Sequence, residues 1–243
     1  MSLLCDNKQP YKCQSLYTAK KRGETMQVDT NKLREVLKET ARQVRTEDSL
    51  KTDDIRTIAG FDVAFFGDKA VCAAVVLDFK TMTVLESKYI LVKQEMPYIP
   101  GFLAFREGNA IMQAYYDLDN DPDVLMVDGH GIAHPMRAGL ACYVGVEAAK
   151  PCIGVAKKVL IGEVVDDKVM IGNEARGVLV KTKEHAKPVI ISPGHLISVE
   201  TAAEIAKRCI VYPHKMPEPL HQAHRYAEKM AEKYQENKEI KKE

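Results

Sequence analysis

The sequence contains no tryptophan, and its six cysteines, at positions 5, 13, 72, 142, 152 and 209, never form a Cys-x-x-Cys pair. Thiols scattered in this way suggest neither a zinc site nor a disulfide framework. Cys72, Cys142 and Cys152 lie in apolar segments and read as buried free thiols. Glycine and proline, 14 and 11 of 243 residues, are too scarce for a collagen-like or low-complexity chain. Neither sign of charge prevails. The 35 Lys and Arg against 34 Asp and Glu leave a net charge of +1, so a surface for a polyanion has to be local. Long apolar runs are missing too: Val71–Leu77 is among the longest, far below the roughly 18 residues of a membrane span. Asp6 falls where a signal peptide would continue its apolar core. The expectation is a soluble, cytoplasmic protein without a membrane partner. With 46% hydrophobic and 28% charged residues, the chain has globular composition and suits one large domain or two small ones.

Residues 1–26 are polar, basic in places and without periodicity, which reads as a flexible extension. From Thr30, Leu33, Val36, Leu37, Ala41 and Val44 share one helical face, with Asp29, Thr30 and Asn31 as candidate caps. Strands are expected at Thr57–Phe66, Ala70–Asp78 and Val84–Val92, joined closely enough for an antiparallel meander. A helix over Leu103–Tyr116 follows, then a short apolar run at Asp123–Asp128 that reads as a buried parallel strand. Further on come a helix between Pro135 and Val146, a strand at Cys152–Val155, a less regular stretch at 160–187 and a strand at Pro188–Ser192. Two more helices are expected, one capped by Ser198 and one through Leu220–Ala231, before a charged tail at 236–243. A meander followed by alternating strands and helices argues for one mixed α/β domain over 27–235.

Three acids stand out by position. Asp62 lies inside an apolar strand, Asp128 ends another, and Glu107 sits on the helix after the meander. An acid in a segment built for burial is costly unless it is paired or binds a cation. Taken singly, each reads as a structural salt bridge or a capped turn; together they offer hard oxygen ligands suited to Mg²⁺ or Mn²⁺. In Asp128-Gly129-His130-Gly131-Ile132-Ala133-His134-Pro135 the glycines permit positive φ or close backbone approach. Gly131 and Pro135 argue against a helix that presents both histidines to zinc. His134 reads either as a donor to a base or phosphate or as a satisfied structural histidine. Lys157 and Lys158 follow a short buried strand, where one of them can meet a phosphate, and Lys150, Lys181 and Lys183 are further candidates. Pro97-Tyr98-Ile99-Pro100-Gly101-Phe102 places an aromatic between two prolines, which fits a rigid wedge as well as an ordinary turn.

Read in order, Ala59–Val63, Pro97–Glu107, Val127–Pro135 and Ile153–Lys158, with Ser192–His195 and Pro217–Pro219, resemble the endonuclease V family. The resemblance covers roughly residues 30–235 and implies an RNase H-like fold. It further implies Asp62, Glu107 and Asp128 as catalytic acids around Mg²⁺, with Mn²⁺ as a substitute, Glu107 acting through water. Lys157 matches an active-site position and His224 one near the metal. Tyr98 matches the wedge, and Gly101, Leu103, Gly129, His134 and Leu160 match pocket positions. The implied reaction, placed in DNA repair, is hydrolysis of the second phosphodiester bond 3′ to deoxyinosine, leaving 3′-hydroxyl and 5′-phosphate ends. The expected partner is nucleic acid containing deoxyinosine or inosine, bound by a monomer without a nucleotide cofactor. An inosine-specific endoribonuclease and a non-catalytic binder of modified bases are the alternatives. A junction resolvase or an RNase H proper would share the acids but not the Pro-Tyr-Ile-Pro segment together with Gly-His-Gly-Ile-Ala-His-Pro.

Overall fold

The computed structural model describes residues 28–94 and 96–240. The stretch read as an N-terminal extension, 1–26, lies outside them. Helix α1 (Thr30–Gln43) begins where expected, because the Asp29 carboxylate accepts the backbone N–H groups of Asn31 and Lys32. The meander follows as β1 (Thr57–Phe66), β2 (Lys69–Asp78) and β3 (Val84–Lys93), with Gly67 and Asp68 turning the first hairpin. Next are α2 (Leu103–Tyr116), β4 (Val124–Asp128), α3 (Leu140–Ala148) and β5 (Cys152–Ala156). Both β4 and β5 run parallel to β1, the RNase H-like arrangement that the resemblance implies.

The region expected to be irregular, 160–187, holds β6 (Glu163–Val165), β7 (Lys168–Ile171) and β8 (Glu174–Val180). These antiparallel strands join the sheet through β9 (Val189–His195), which lies antiparallel between β5 and β8. The strands after the meander are thus parallel only as far as β5. Among the described residues the nine strands form one sheet in the order β3-β2-β1-β4-β5-β9-β8-β7-β6. Helix α4 (Val199–Arg208) is capped by the Ser198 hydroxyl, and α5 (Glu218–Ile240) closes the fold. Because α5 continues to Ile240, the stretch read as a charged tail begins as helix.

The period of two along each strand sorts the core into layers. Ala59, Phe61, Leu125 and Val127 pack with α1, α2 and α3, whereas Ile58, Met126 and Ile153 pack with α4 and α5. Fully burying one such side chain contributes about 1.5–3 kcal/mol, so this double layer is what holds the strand register. That register positions the acids. Phe61 pairs with Val127, so the next step along both strands sets Asp62 beside Asp128. The four thiols among the described residues, Cys72, Cys142, Cys152 and Cys209, are buried and free, in keeping with the apolar context of the first three.

Candidate active site

Asp62, Glu107, Asp128, Lys157 and His224 line one cleft of about 650 Å³ between the carboxyl ends of β1 and β4, the start of α2 and the middle of α5. Each arrives from a different element, and each of two carboxylates already has a partner. Lys157 donates through Nζ to Asp128 Oδ2 at 2.6 Å, and His224 Nδ1 lies 2.7 Å from Asp62 Oδ2. On the other side of the same imidazole, Nε2 is 3.4 Å from Glu228 Oε1.

The electrostatics show an excess of negative charge. Burial, then the charges of Asp62 and Asp128, push the Glu107 carboxyl up to about 8. Burial and Asp128 likewise raise Asp62, against the opposing pull of His224 and Lys157. Burial works against the Lys157 ammonium, but Asp128, Asp62 and Glu107 together outweigh it and raise its pKa. Three neighbouring carboxylates, with Glu107 and Asp62 held above their ordinary values, form a donor set suited to a hard divalent cation, which would relieve that repulsion. Among the described residues, no three His, Cys, Asp or Glu side chains are drawn into a ready-made metal group. Lys157 and His224 instead each occupy one carboxylate oxygen, of Asp128 and Asp62 respectively.

A second recess of about 380 Å³ adjoins the cleft. All six residues matched to the pocket and wedge line it: Tyr98, Gly101, Leu103, Gly129, His134 and Leu160. Leu103, Asp128 and Lys157 belong to both hollows and form the wall between them. The Gly131 backbone takes the second of the options left open by the sequence: a Cβ there would run into the Pro193 carbonyl. Gly101, outside that segment, has φ +80° at the end of the Tyr98 loop. Its carbonyl accepts from His134 Nε2 at 3.1 Å, while His134 Nδ1 accepts the Met136 N–H at 3.3 Å. Both ring nitrogens are therefore spent inside the protein. His134 lines the recess and ties the loop to the turn after β4.

Reading the sequence alone misses the residues that support this turn. Glu174 on β8 accepts from Arg137 at 3.0 Å and from Arg176 at 2.6 Å, and Arg176 also donates to the His134 carbonyl. Ser192 Oγ receives the Ala133 N–H and donates to the Arg176 carbonyl. The alternation Glu174-x-Arg176 is the available signal, obscured because 160–187 reads as irregular from sequence. Lys158 lines the recess, whereas Lys150 lies at the far end of β5 and pairs with Asp121 at 2.7 Å. Lys181 and Lys183 follow β8 and line neither hollow.

The family model described as Endonuclease V matches residues 38–225. An Endonuclease V of Thermofilum pendens is 44% identical over 205 residues, 82% of this chain and 88% of the relative. One from Archaeoglobus fulgidus is 38% identical over 200 residues, 80% and 90% of the two chains. Among solved structures, the Bacillus subtilis endonuclease V superposes with a TM-score of 0.80 at 27% identity, covering 87% of this chain and 95% of that one. Ciona intestinalis endonuclease V was crystallised with a 24mer DNA containing an inosine followed by a ribo-adenosine. It gives a TM-score of 0.78 at 26% identity, with 84% and 98% coverage. With a family model over residues 38–225 and a relative 44% identical across 82% of this sequence, the chain belongs to the Endonuclease V family of nucleases.

Proposed function

We propose that this chain is a Mg²⁺-dependent endonuclease that holds a hypoxanthine base and hydrolyses the second phosphodiester bond on its 3′ side, leaving 3′-hydroxyl and 5′-phosphate ends. The observation that carries the reading is the common wall of Leu103, Asp128 and Lys157, which sets a recess with room for a base directly beside an acidic cleft. The inosine-containing DNA bound by the Ciona relative supports the choice of base. In this reading Asp62 and Asp128 are direct ligands and Glu107 acts through water, a set of hard oxygen donors that fits the ion. The chemistry such an ion would supply when held by these acids is Lewis-acid polarisation of a phosphoryl oxygen and a lowered pKa of the attacking water. Lys157, at the shared wall, contacts the scissile phosphate and stabilises the charge that develops on it. His224 orients the Asp62 carboxylate through Nδ1.

The test is turnover on end-labelled oligonucleotides carrying one hypoxanthine, as DNA and as RNA, with Mg²⁺, mapped at single-nucleotide resolution. A single cut at the second bond 3′ to the base in DNA is the expected product. Cutting of RNA alone would make the chain an endoribonuclease. Tight binding without a cut would make it a binder, and cutting irrespective of the base would leave only an RNase H-like nuclease.

A further inference from the structure

Tyr98 is 65% exposed, yet its loop is held on both sides. At the far end, His134 fixes the Gly101 carbonyl. At the near end, the Met96 carbonyl accepts from Gln94 Nε2 at 2.5 Å and from Arg106 Nη1 at 3.5 Å. The same Arg106 guanidinium lies 4.1 Å from the centre of the Phe65 ring and 6.0 Å from that of Tyr98. Phe65 is the penultimate residue of β1 and Arg106 sits in the first turn of α2, so the cation is itself anchored to regular structure.

We infer that Arg106 is a positioning residue that presents the Tyr98 ring. Two prolines and the two carbonyl ties restrain the loop's backbone, and the remaining freedom belongs to the ring. A cation shared between the Phe65 and Tyr98 faces removes much of that freedom before nucleic acid arrives, which lowers the ordering cost of binding. The inference deepens the proposed function and rests on Tyr98 being the wedge. Arg106 also lowers the neighbouring Glu107 carboxyl through its charge, so cleavage rates would mix two effects. Ring order and binding separate them.

Because the sequence has no tryptophan, Tyr98→Trp creates a single tryptophan at the loop tip, excited selectively at the red edge of the tyrosine absorption. Its acrylamide quenching and anisotropy are to be compared in the free protein with Arg106, Arg106→Lys and Arg106→Gln. The expected result is a rise of about two- to fivefold in quenching and a fall in anisotropy for Arg106→Gln, the size of an exposed cation–π contact. Arg106→Lys, which keeps a cation over the rings, should recover part of the order, with melting temperatures nearly equal. In the chain with native Tyr98, Arg106→Gln should weaken binding to inosine duplex by the same factor and leave single-strand binding unchanged. Unchanged quenching overturns the inference. So does an equal loss on duplex and single strand with a salt slope smaller by about 1, which is a phosphate contact. A large drop in melting temperature with loss on every substrate overturns it in favour of a packing role. If Tyr98→Ala keeps its duplex affinity, the wedge reading fails, while the quenching data still decide whether Arg106 holds the ring.

Discussion

Asp128 ends its strand on the wall common to both hollows, with Lys157 on one carboxylate oxygen. Asp128→Asn should abolish cleavage in Mg²⁺ while retaining most affinity for inosine DNA, since the recess is lined largely by other residues. Single-turnover cleavage beside a binding isotherm checks this, and near-native cutting would remove Asp128 from the metal site. His134 carries a prediction in pH. Burial, with some help from His130 and against the Gly101 hydrogen bond, lowers its pKa from 6.5 to about 4. The unfolded chain therefore binds this proton below pH 6.5, whereas the folded chain does so only near pH 4. Folded stability falls as pH drops through that window, by about 3 kcal/mol from this group. His134→Gln, which preserves a donor for Gly101, should flatten the denaturation midpoint between pH 6.5 and 4; an unchanged slope would place the acid sensitivity elsewhere. At this scale the acids were legible because a carboxylate in an apolar strand is conspicuous. Arg106, Arg137 and Arg176 were not, because an arginine's role lies in the partner it reaches across the fold.

The element that presents Tyr98 is a short loop with fixed ends, and its value depends on what it replaces. Extruding a base costs a few kcal/mol of stacking and pairing, of which an aromatic recovers about 1–3 kcal/mol. Tyr98→Ala should weaken binding to inosine duplex by roughly one to two decades, and single-strand binding less. Parallel titrations and a thermal melt decide: equal losses with a lowered melting temperature would make Tyr98 a packing residue. The strands of the meander, α2 and β4 were readable from period and length because they are long or wholly buried. The β6–β8 hairpins were not, since β6 has three exposed residues and no inward face. Their turns did leave a trace. Asp166-Asp167 and Gly172-Asn173 each link paired strands through two residues, with φ of 47°, 62° and 61° at the first three. That is the left-handed backbone of tight hairpins, and Gly-Asn is a pair that favours it.

Across the whole molecule, the net charge of +1 offers nucleic acid little long-range attraction. Contacts must come from a few local cations such as Lys157 and Lys158, which line the recess. Log affinity against log salt should therefore have a shallow slope, between about −2 and −4, at about −0.9 per duplex phosphate neutralised. A slope steeper than about −6 would mean a far larger basic footprint than these lysines provide. The wall of Leu103, Asp128 and Lys157 has a further consequence. It makes the spacing between the recess and the acids a dimension of β4, β5 and α2. On the proposed function the protein is a gauge with one graduation. It cuts every strand at the same offset from the base, and only a change in the length of those elements would move the mark.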